Sequence, residues 1–421
     1  MSSCDSPALV KGLVPLDDAR NVLAQRAQQY GTLAETETVA LHTALTRVLA
    51  ETITSQINVP GFDNSAMDGY ALRLVDCQQL ADNGRIQFAI SQRITAGDAP
   101  ELLLDNTCAR IFTGAAVPEN ADIVVMQEQC EVTESGQVIF PNSLIDAKAQ
   151  QNIRPAGQDI KVGQTLFQSG RILRAEDLGV LASMGFSQIE VQKKLKVAVI
   201  SSGDELVEPG NPLSPGKIYN TNSFTLIGLL QRMGLEVVGP FFAADTLAET
   251  QDVLTLASAQ ADVIITSGGV SVGEEDHIKA AISSGGELEM WRLAIKPGKP
   301  FALGQFNQTP VIGLPGNPAA VVVTFYQLAR DFLWMVQGAD AQPLLVLKGK
   351  AAFTTKKSIA RTEFLRARFN AGEIEVFNNQ SSGVLSSSSW SDGFACVPAG
   401  ELISEGDDIE FYALTTAHGH G

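Results

Sequence analysis

The chain has 421 residues, which at roughly 150 per domain is enough for about three domains. Its 45% hydrophobic and 18% charged residues are those of a globular protein and exclude a mainly disordered chain. Thirty Lys and Arg against 47 Asp and Glu give a net charge of −17, which excludes general binding to nucleic acid or to an anionic membrane. An anionic ligand must therefore be held by a local cluster of cations.

No uninterrupted apolar run approaches the ~20 residues that span a bilayer. The segment MSSCDSPALVKG lacks the charged-then-apolar pattern of a signal peptide. Cys4, Cys77, Cys108, Cys130 and Cys396 are scattered and form no CxxC pair, which argues against a disulfide scaffold or zinc site and for a cytoplasmic location. With four His in all, two of them His418 and His420, chemistry is expected to use carboxylates, cations and backbone amides.

In chain order, residues 16–30 read as an amphipathic helix with Leu16, Ala19, Val22, Leu23, Ala27 and Tyr30 on one face. The spacing predicts a second helix over 40–54. Between about 55 and 190, short β-rich runs (RIQFAI, CARIFT, DIVVMQ, QVIF) alternate with Gly, Pro, Asn and Asp clusters, as in one or two mostly-β units. From about 195 to 338 the pattern becomes βαβ. KVAVI, LEVVGPFF, ADVIIT and TPVIGLP read as strands, Gly234 is placed to end the helix NSFTLIGLLQRMG, and Asn317 and Pro318 are placed to open another. Strands alternating with helices imply a doubly wound parallel α/β sheet, which binds ligands at the carboxyl ends of its strands. Past about 339 short strands return, as in a small β-domain.

TSGGVSVGEEDH (266–277) directly follows a predicted strand. Gly268, Gly269 and Gly273 allow the backbone to turn tightly and aim amides at an oxyanion. The segment is neither GxGxxG nor a P-loop. Asp276 could ligate a metal or handle a proton; alternatively Glu274, Glu275 and Asp276 complement a helix dipole. WRLAIKPGKPFALG carries Arg292, Lys296 and Lys299 without an acid, which makes an anion site or a solvated turn. SSGDELVEPG places Ser201, Ser202, Asp204 and Glu205 at a strand end, and GLPGNP does the same for Asn317, which could equally be only a helix cap. Four such loops would converge on one rim of the sheet. Elsewhere, PGFDNSAMDGYA packs Asp63, Asn64, Ser65 and Asp68 between glycines, as a Mg²⁺ site or as a loop of Asx-turns, and TGAAVPENADIVVMQEQ adds Thr113 and Glu128. A cysteine nucleophile or a Ser-His-Asp triad fails for want of a placed His, since His42 falls in a predicted helix and His277 stands alone.

These segments, in this order and spacing, resemble the molybdopterin molybdenumtransferase family, the MoeA-type enzymes related to the gephyrin E domain. The resemblance runs from about residue 16 into the last domain and is densest between 58 and 328. It implies a multidomain α/β plus β fold: an N-terminal or linker domain (16–54 and 151–192), an inserted β-rich domain carrying DNSAMDGY (55–150), a doubly wound molybdopterin-binding domain (193–338) and a C-terminal β-domain (339–421). It also implies insertion of molybdenum from molybdate into adenylylated molybdopterin, Mg²⁺-assisted, with release of AMP. The family forms homodimers in which the doubly wound domain of one subunit meets the DNSAMDGY domain of the other.

Carried over by motif, Asp68, Glu205, Asp276, Lys296 and Lys299 fall on catalytic positions, with Asp68, Glu205 and Asp276 as candidate Mg²⁺ ligands. Thr113, Ser202, Asp245, Gly268, Gly269, Ser271, Gly273, Arg292, Pro315 and Asn317 fall on substrate-binding positions. Arg366 and Ser382 resemble the molybdate-contacting positions of the last domain. Asn220 departs from the family, which has an acid there, and carries no metal role. Arg292 stands where some relatives have Lys. The partners implied are small-molecule substrates, a molybdopterin adenylyltransferase upstream and cofactor-accepting molybdoenzymes downstream. The rival readings are a molybdopterin adenylyltransferase, which would lack the DNSAMDGY and C-terminal domains, and a non-catalytic gephyrin-like scaffold.

Overall fold

The computed structural model describes residues 12–31, 35–81, 85–269, 277–340 and 342–414. The chain falls into two compact units. One holds the residues up to Glu51, Ser169–Leu178 and Gln188 onward; the other holds Thr52–Gln168 and Gly179–Ser187.

In the first unit, α1 (Leu16–Gly31) forms as its periodicity predicts and buries Ala19, Leu23 and Ala27. The helix expected over 40–54 does not form. Thr36–Ala40 is instead a strand paired antiparallel with Gln188–Gln192, followed by the 3₁₀ turn Leu41–Thr43. Backbone groups beyond it go to other partners, with Leu49 N donating to Arg171 O at 2.8 Å, and Thr46 takes a φ of 63° that no α-helix accepts. Tertiary pairing overrides the local periodicity here.

The core of this unit is a six-stranded sheet. Its strands are β1 (Lys196–Ser202), β2 (Glu236–Ala243), β3 (Val263–Ser267), β4 (Leu288–Arg292), β5 (Pro300–Phe306) and β6 (Thr309–Leu314), in spatial order β2-β1-β3-β6-β5-β4. The first four in that order are parallel, and β5 and β4 add an antiparallel edge. Alternate residues of the continuous apolar strands serve opposite faces. Val197, Val199, Val263, Ile265 and Ile312 pack with α1, α2 (Asn222–Arg232) and α5 (Pro318–Val336). Ala198, Ile200, Ile264 and Val311 pack on the other side with α3 (Leu247–Ser258) and α4 (His277–Gly285). Helices on both faces make the sheet doubly wound.

Helix α5 is long and apolar enough to cross a membrane by length and composition, yet 89% of it is buried inside the protein, as in a core helix. Its middle, Phe325–Ala329, is a π-helical turn.

After α5, strands β7 (Leu345–Ala351), β8 (Thr362–Asn370), β9 (Glu373–Val376), β10 (Gly393–Val397) and β11 (Asp408–Ala413) pair in the order β8-β9-β7-β11-β10. A further pairing of β10 with β8 closes them into a small barrel around Ala367, Ile374, Ala395 and Phe411. Within the expected Gly/Ser turns, Leu385–Trp390 is a short helix.

The second unit contains a six-stranded sheet of short strands, among them Gly69–Leu72, Thr107–Ile111 and Ile123–Met126. A Cβ on Gly69 would lie 1.9 Å from Val125 O, so only glycine permits this strand approach.

Candidate functional site

The carboxyl ends of β1, β3 and β6 and the residues following β2 surround a cleft of about 940 Å³. Ser202 ends β1 and Glu205 comes from the loop after it, Asp245 from the loop after β2, Gly268 and Gly269 from the turn after β3, and Pro315 and Asn317 from the loop after β6. Lys296 and Lys299 reach it from the connection between β4 and β5, and Ser382 from the barrel. The convergence expected from four separate loops is present in this unit.

Backbone geometry fixes these loops. Gly268 and Gly269 take φ values of 94° and 66°, the left-handed region that glycine enters without strain. Gly298, between the two lysines, has a φ of 104°, and a Cβ there would meet Thr324 Cγ2 at 2.4 Å. Asn317 occupies the N-cap position before Pro318, but its side chain makes no capping hydrogen bond, and its carbonyl accepts from Ala320 N and Val321 N at 3.0 Å each. The side chain borders the cleft instead.

The acids are held in place by neighbours. Ser202 Oγ donates to Asp245 Oδ1 at 3.0 Å, and Asp204 N donates to Asp245 Oδ2 at 3.3 Å. The Glu205 carboxylate lies against Gly203, where a Cβ would come within 2.5 Å of Oε2. Glu205 and Asp245 are both exposed at the cleft. Among the described residues no cluster of three or more His, Cys, Asp and Glu is placed to hold a metal. Glu205 and Asp245 at the cleft nevertheless fit the needs of Mg²⁺, which usually takes one or two carboxylates and completes its shell with water and substrate phosphate.

Several residues that line the cleft or contact its lining were not singled out by sequence reasoning. Glu363 lies 2.7 Å from Lys296 Nζ through Oε1, so an acid distant in sequence faces the lysine that stands in an acid-free segment. Asn222 donates from Nδ2 to Ser267 Oγ at 2.8 Å and to Gly316 O at 2.7 Å, while its buried Oδ1 has no partner. Asn222 stands two residues after Asn220 at the start of α2, a polar pair at a strand-to-helix junction that could have drawn attention to it. Arg361 and Gln380 also line the cleft.

Other expected positions lie elsewhere. Arg366 is fully buried, donating to Ser387 Oγ at 3.0 Å and Ser381 O at 3.2 Å, and burial pulls its guanidinium down to about 10. Arg361, five residues earlier on the same RTEFLR segment, takes the place at the cleft wall. Arg292 is exposed at the end of β4 and is not among the residues bordering the cleft. Asn220 is buried, accepting from Ser201 Oγ at 3.4 Å and donating to Glu208 Oε1 at 3.0 Å. Ser271, Gly273 and Asp276, with Glu274 and Glu275, lie outside the described residues.

In the second unit, Asp68 and Thr113 are brought together. Asp68 Oδ1 accepts from Thr113 N at 2.8 Å and from Thr113 Oγ1 at 2.7 Å, and the two bonds hold its carboxyl below the usual range. Asp63 Oδ1 accepts from Ala156 N, and Ser65 Oγ from Met67 N, so parts of the DNSAMDGY loop are structural turns. Four cysteines are unsuited to nucleophilic work. Burial pushes Cys77, Cys108 and Cys130 up to about 12 and Cys396 up to about 11.

A doubly wound sheet whose strand-end loops gather lysines, hydroxyls and glycine turns, with Arg361 and Ser382 added from the barrel, defines an α/β domain whose cleft has the cations and turns suited to a phosphorylated or oxyanionic small molecule. Family models match in three stretches: the MoeA N-terminal region (domain I and II) at residues 14–185, the "Probable molybdopterin binding domain" at 198–334, and the MoeA C-terminal region (domain IV) at 348–414. A molybdopterin molybdenumtransferase of Haemophilus influenzae is 40% identical over 86% of this chain and 89% of its own length. One from Nostoc is 31% identical over 93% and 92%. The crystal structure of a molybdopterin biosynthesis MoeA protein from Pyrococcus horikoshii matches with a TM-score of 0.81 and 28% identity, over 95% of this chain and 100% of that one. The chain belongs to the molybdopterin molybdenumtransferase family.

Proposed function

We propose that this chain inserts molybdenum from molybdate into adenylylated molybdopterin, releasing AMP, and that it does so in the cytoplasm as a homodimer. The observation that carries the reading is the cleft at the strand ends, where Lys296, Lys299 and Arg361 are gathered in a chain of net charge −17. A pyrophosphate-bearing pterin needs such cations, because the overall charge of the protein repels it.

In this reading the lysines bind the substrate phosphates, Ser202 and Asn317 orient its polar edge, and the turn at Gly268 and Gly269 lets the backbone approach it closely. Arg361 and Ser382 receive molybdate, a tetrahedral dianion suited to a guanidinium fork and a hydroxyl. Glu205 and Asp245 would hold Mg²⁺, together with Asp276 and with Asp68 of a second copy. When bound, Mg²⁺ neutralises charge on the phosphoanhydride as its P–O bond breaks. The carboxylate of Asp68 is ionised at neutral pH, and the hydrogen bonds from Thr113 hold it in a fixed orientation and lower its titration further.

The test is AMP release from adenylylated molybdopterin and Mg²⁺, with and without molybdate. Release that needs molybdate, with a product able to activate an apo-molybdoenzyme, is expected. ATP-dependent adenylylation of molybdopterin in its place would overturn the reading.

A further inference from the structure

A second cavity in the first unit, of about 550 Å³, shares no lining residue with the cleft. Four guanidinium groups line it: Arg171, Arg174, Arg232 and Arg330. Two acids pair with them. Asp177 accepts from Arg171 Nε and Nη2 at 2.9 and 2.8 Å and lies 3.8 Å from Arg174 Nε. Asp331 accepts from Arg330 Nε and Nη2 at 2.8 and 2.6 Å. Arg232 donates to a neutral carbonyl, Leu414 O, at 3.2 Å. Four cations therefore stand against two acids in a strongly acidic chain. Arg174 Nε and Arg330 Nη1 are buried without a hydrogen-bond partner, an arrangement that costs stability unless something else is gained.

The remaining wall is apolar, with Met233, Phe325, Trp334 and Leu344 among its residues. Phe325 and Tyr326 belong to the π-helical turn of α5, and Arg330 follows it directly. One extra residue in a turn rotates everything after it by about 100° relative to a continuous α-helix, so the π turn decides which way Arg330 faces. Such π turns are rare and occur frequently at functional sites.

We infer that this cavity binds an organic phosphate monoester with an aromatic or apolar body, at a site distinct from the cleft. The guanidinium cluster matches a phosphate dianion in charge and in fork geometry. The apolar wall matches a hydrocarbon or aromatic body, and the volume suits a small organic molecule better than a bare ion.

Phenyl phosphate is the probe, titrated calorimetrically into the full chain carrying Lys296→Gln and Lys299→Gln, so that anion binding in the cleft is suppressed. One site per chain is expected, with inorganic phosphate and benzyl alcohol each binding roughly tenfold or more weaker than phenyl phosphate. Arg330 is too deeply buried for its substitution to be informative alone. Arg174→Gln is expected to weaken binding roughly tenfold, the loss of one charge-assisted hydrogen bond, and Leu344→Trp to abolish it by filling the cavity, with circular dichroism confirming both folds. Absence of binding up to about 1 mM, equal affinity in the variants, or binding seen only when a second copy of the chain is dissociated would each overturn the assignment.

Discussion

Lys296 and Glu363 face each other across a parallel strand pairing, with Nζ and Oε1 2.7 Å apart. The pairing joins the segment Ile295–Lys296 to β8, so the barrel supplies the counter-charge for a lysine of the doubly wound domain. Glu363 is largely buried, with a side chain 11% exposed, and Lys296 is 39% exposed. Lys296→Gln should therefore do two things. It leaves the carboxylate without its cation, lowering stability by about 1 kcal/mol, and it weakens oxyanion binding in the cleft. Glu363→Gln should instead strengthen oxyanion binding, since the lysine's charge is no longer neutralised. Thermal melts and molybdate titrations of both variants and the double variant close the cycle. A double variant as unstable as Lys296→Gln alone would show that the pair is not the cause.

Gly298 separates a conformational demand from a chemical one. Its φ of 104°, and the mere 2.4 Å that would separate an added Cβ from Thr324 Cγ2, make Gly298→Ala strained on both counts. A loss of about 1–3 kcal/mol is expected in chemical denaturation. Gly316→Ala is the contrast. Nothing lies closer to its Cβ position than Gly268 Cα at 3.7 Å, so the fold should hold while substrate affinity falls as the added methyl intrudes on the cleft. Equal destabilisation of the two variants would rule out this distinction.

Asp68 owes its lowered titration first to the backbone N–H of Thr113 and then to its hydroxyl. Both bonds favour the charged form, so removing one raises the pKa. Thr113→Val keeps the N–H and removes the hydroxyl. The Asp68 carboxyl, followed by NMR across an acid titration, should move up toward the ordinary Asp value without reaching it. Asp68→Asn should leave the melting curve nearly unchanged and remove AMP release. An unshifted titration in Thr113→Val would mean that the hydroxyl bond contributes nothing.

The doubly wound domain was legible because its code is local. Continuous apolar strands such as Val197–Ile200 and Val263–Ile265, each followed by a polar or glycine-rich loop, announce both the sheet and its functional rim. The failures come from pairings distant in sequence. The 40–54 segment has helical periodicity, but hydrogen bonds to Arg171 and Glu190 draw it into an irregular path. The RTEFLR segment offers two arginines, and strand alternation alone does not say which is buried; closure of the barrel puts Arg366 inside and leaves Arg361 at the cleft. Glu363 was invisible for the same reason, since its partner lies 67 positions earlier in the numbering.

Asn220, where the family resemblance implies an acid, sits in a closed hydrogen-bond arrangement. It is 2% exposed, its Oδ1 accepts from Ser201 Oγ and from Ser223 N at 3.3 Å, and its Nδ2 donates to Glu208 Oε1 at 3.0 Å. Asn220→Asp would keep the acceptor side of this arrangement and turn the donor side into a second carboxylate facing Glu208. Burial and the like charge both disfavour ionisation, so the new carboxyl's folded pKa should rise above its unfolded value near 3.9. The sign follows directly. Below about pH 3.9 the acid is protonated in both states and the variant loses little. As pH rises through the unfolded and then the folded pKa, the unfolded state ionises first and stability falls, reaching a deficit of about 2 kcal/mol or more at neutral pH. Glu208→Gln in the same background should recover much of that deficit by restoring a donor opposite the new carboxylate. Melting temperatures of the single and double variants at about pH 4 and about pH 8 decide it. A deficit that is the same at both values would show that steric fit, and not charge, makes asparagine the residue at this position.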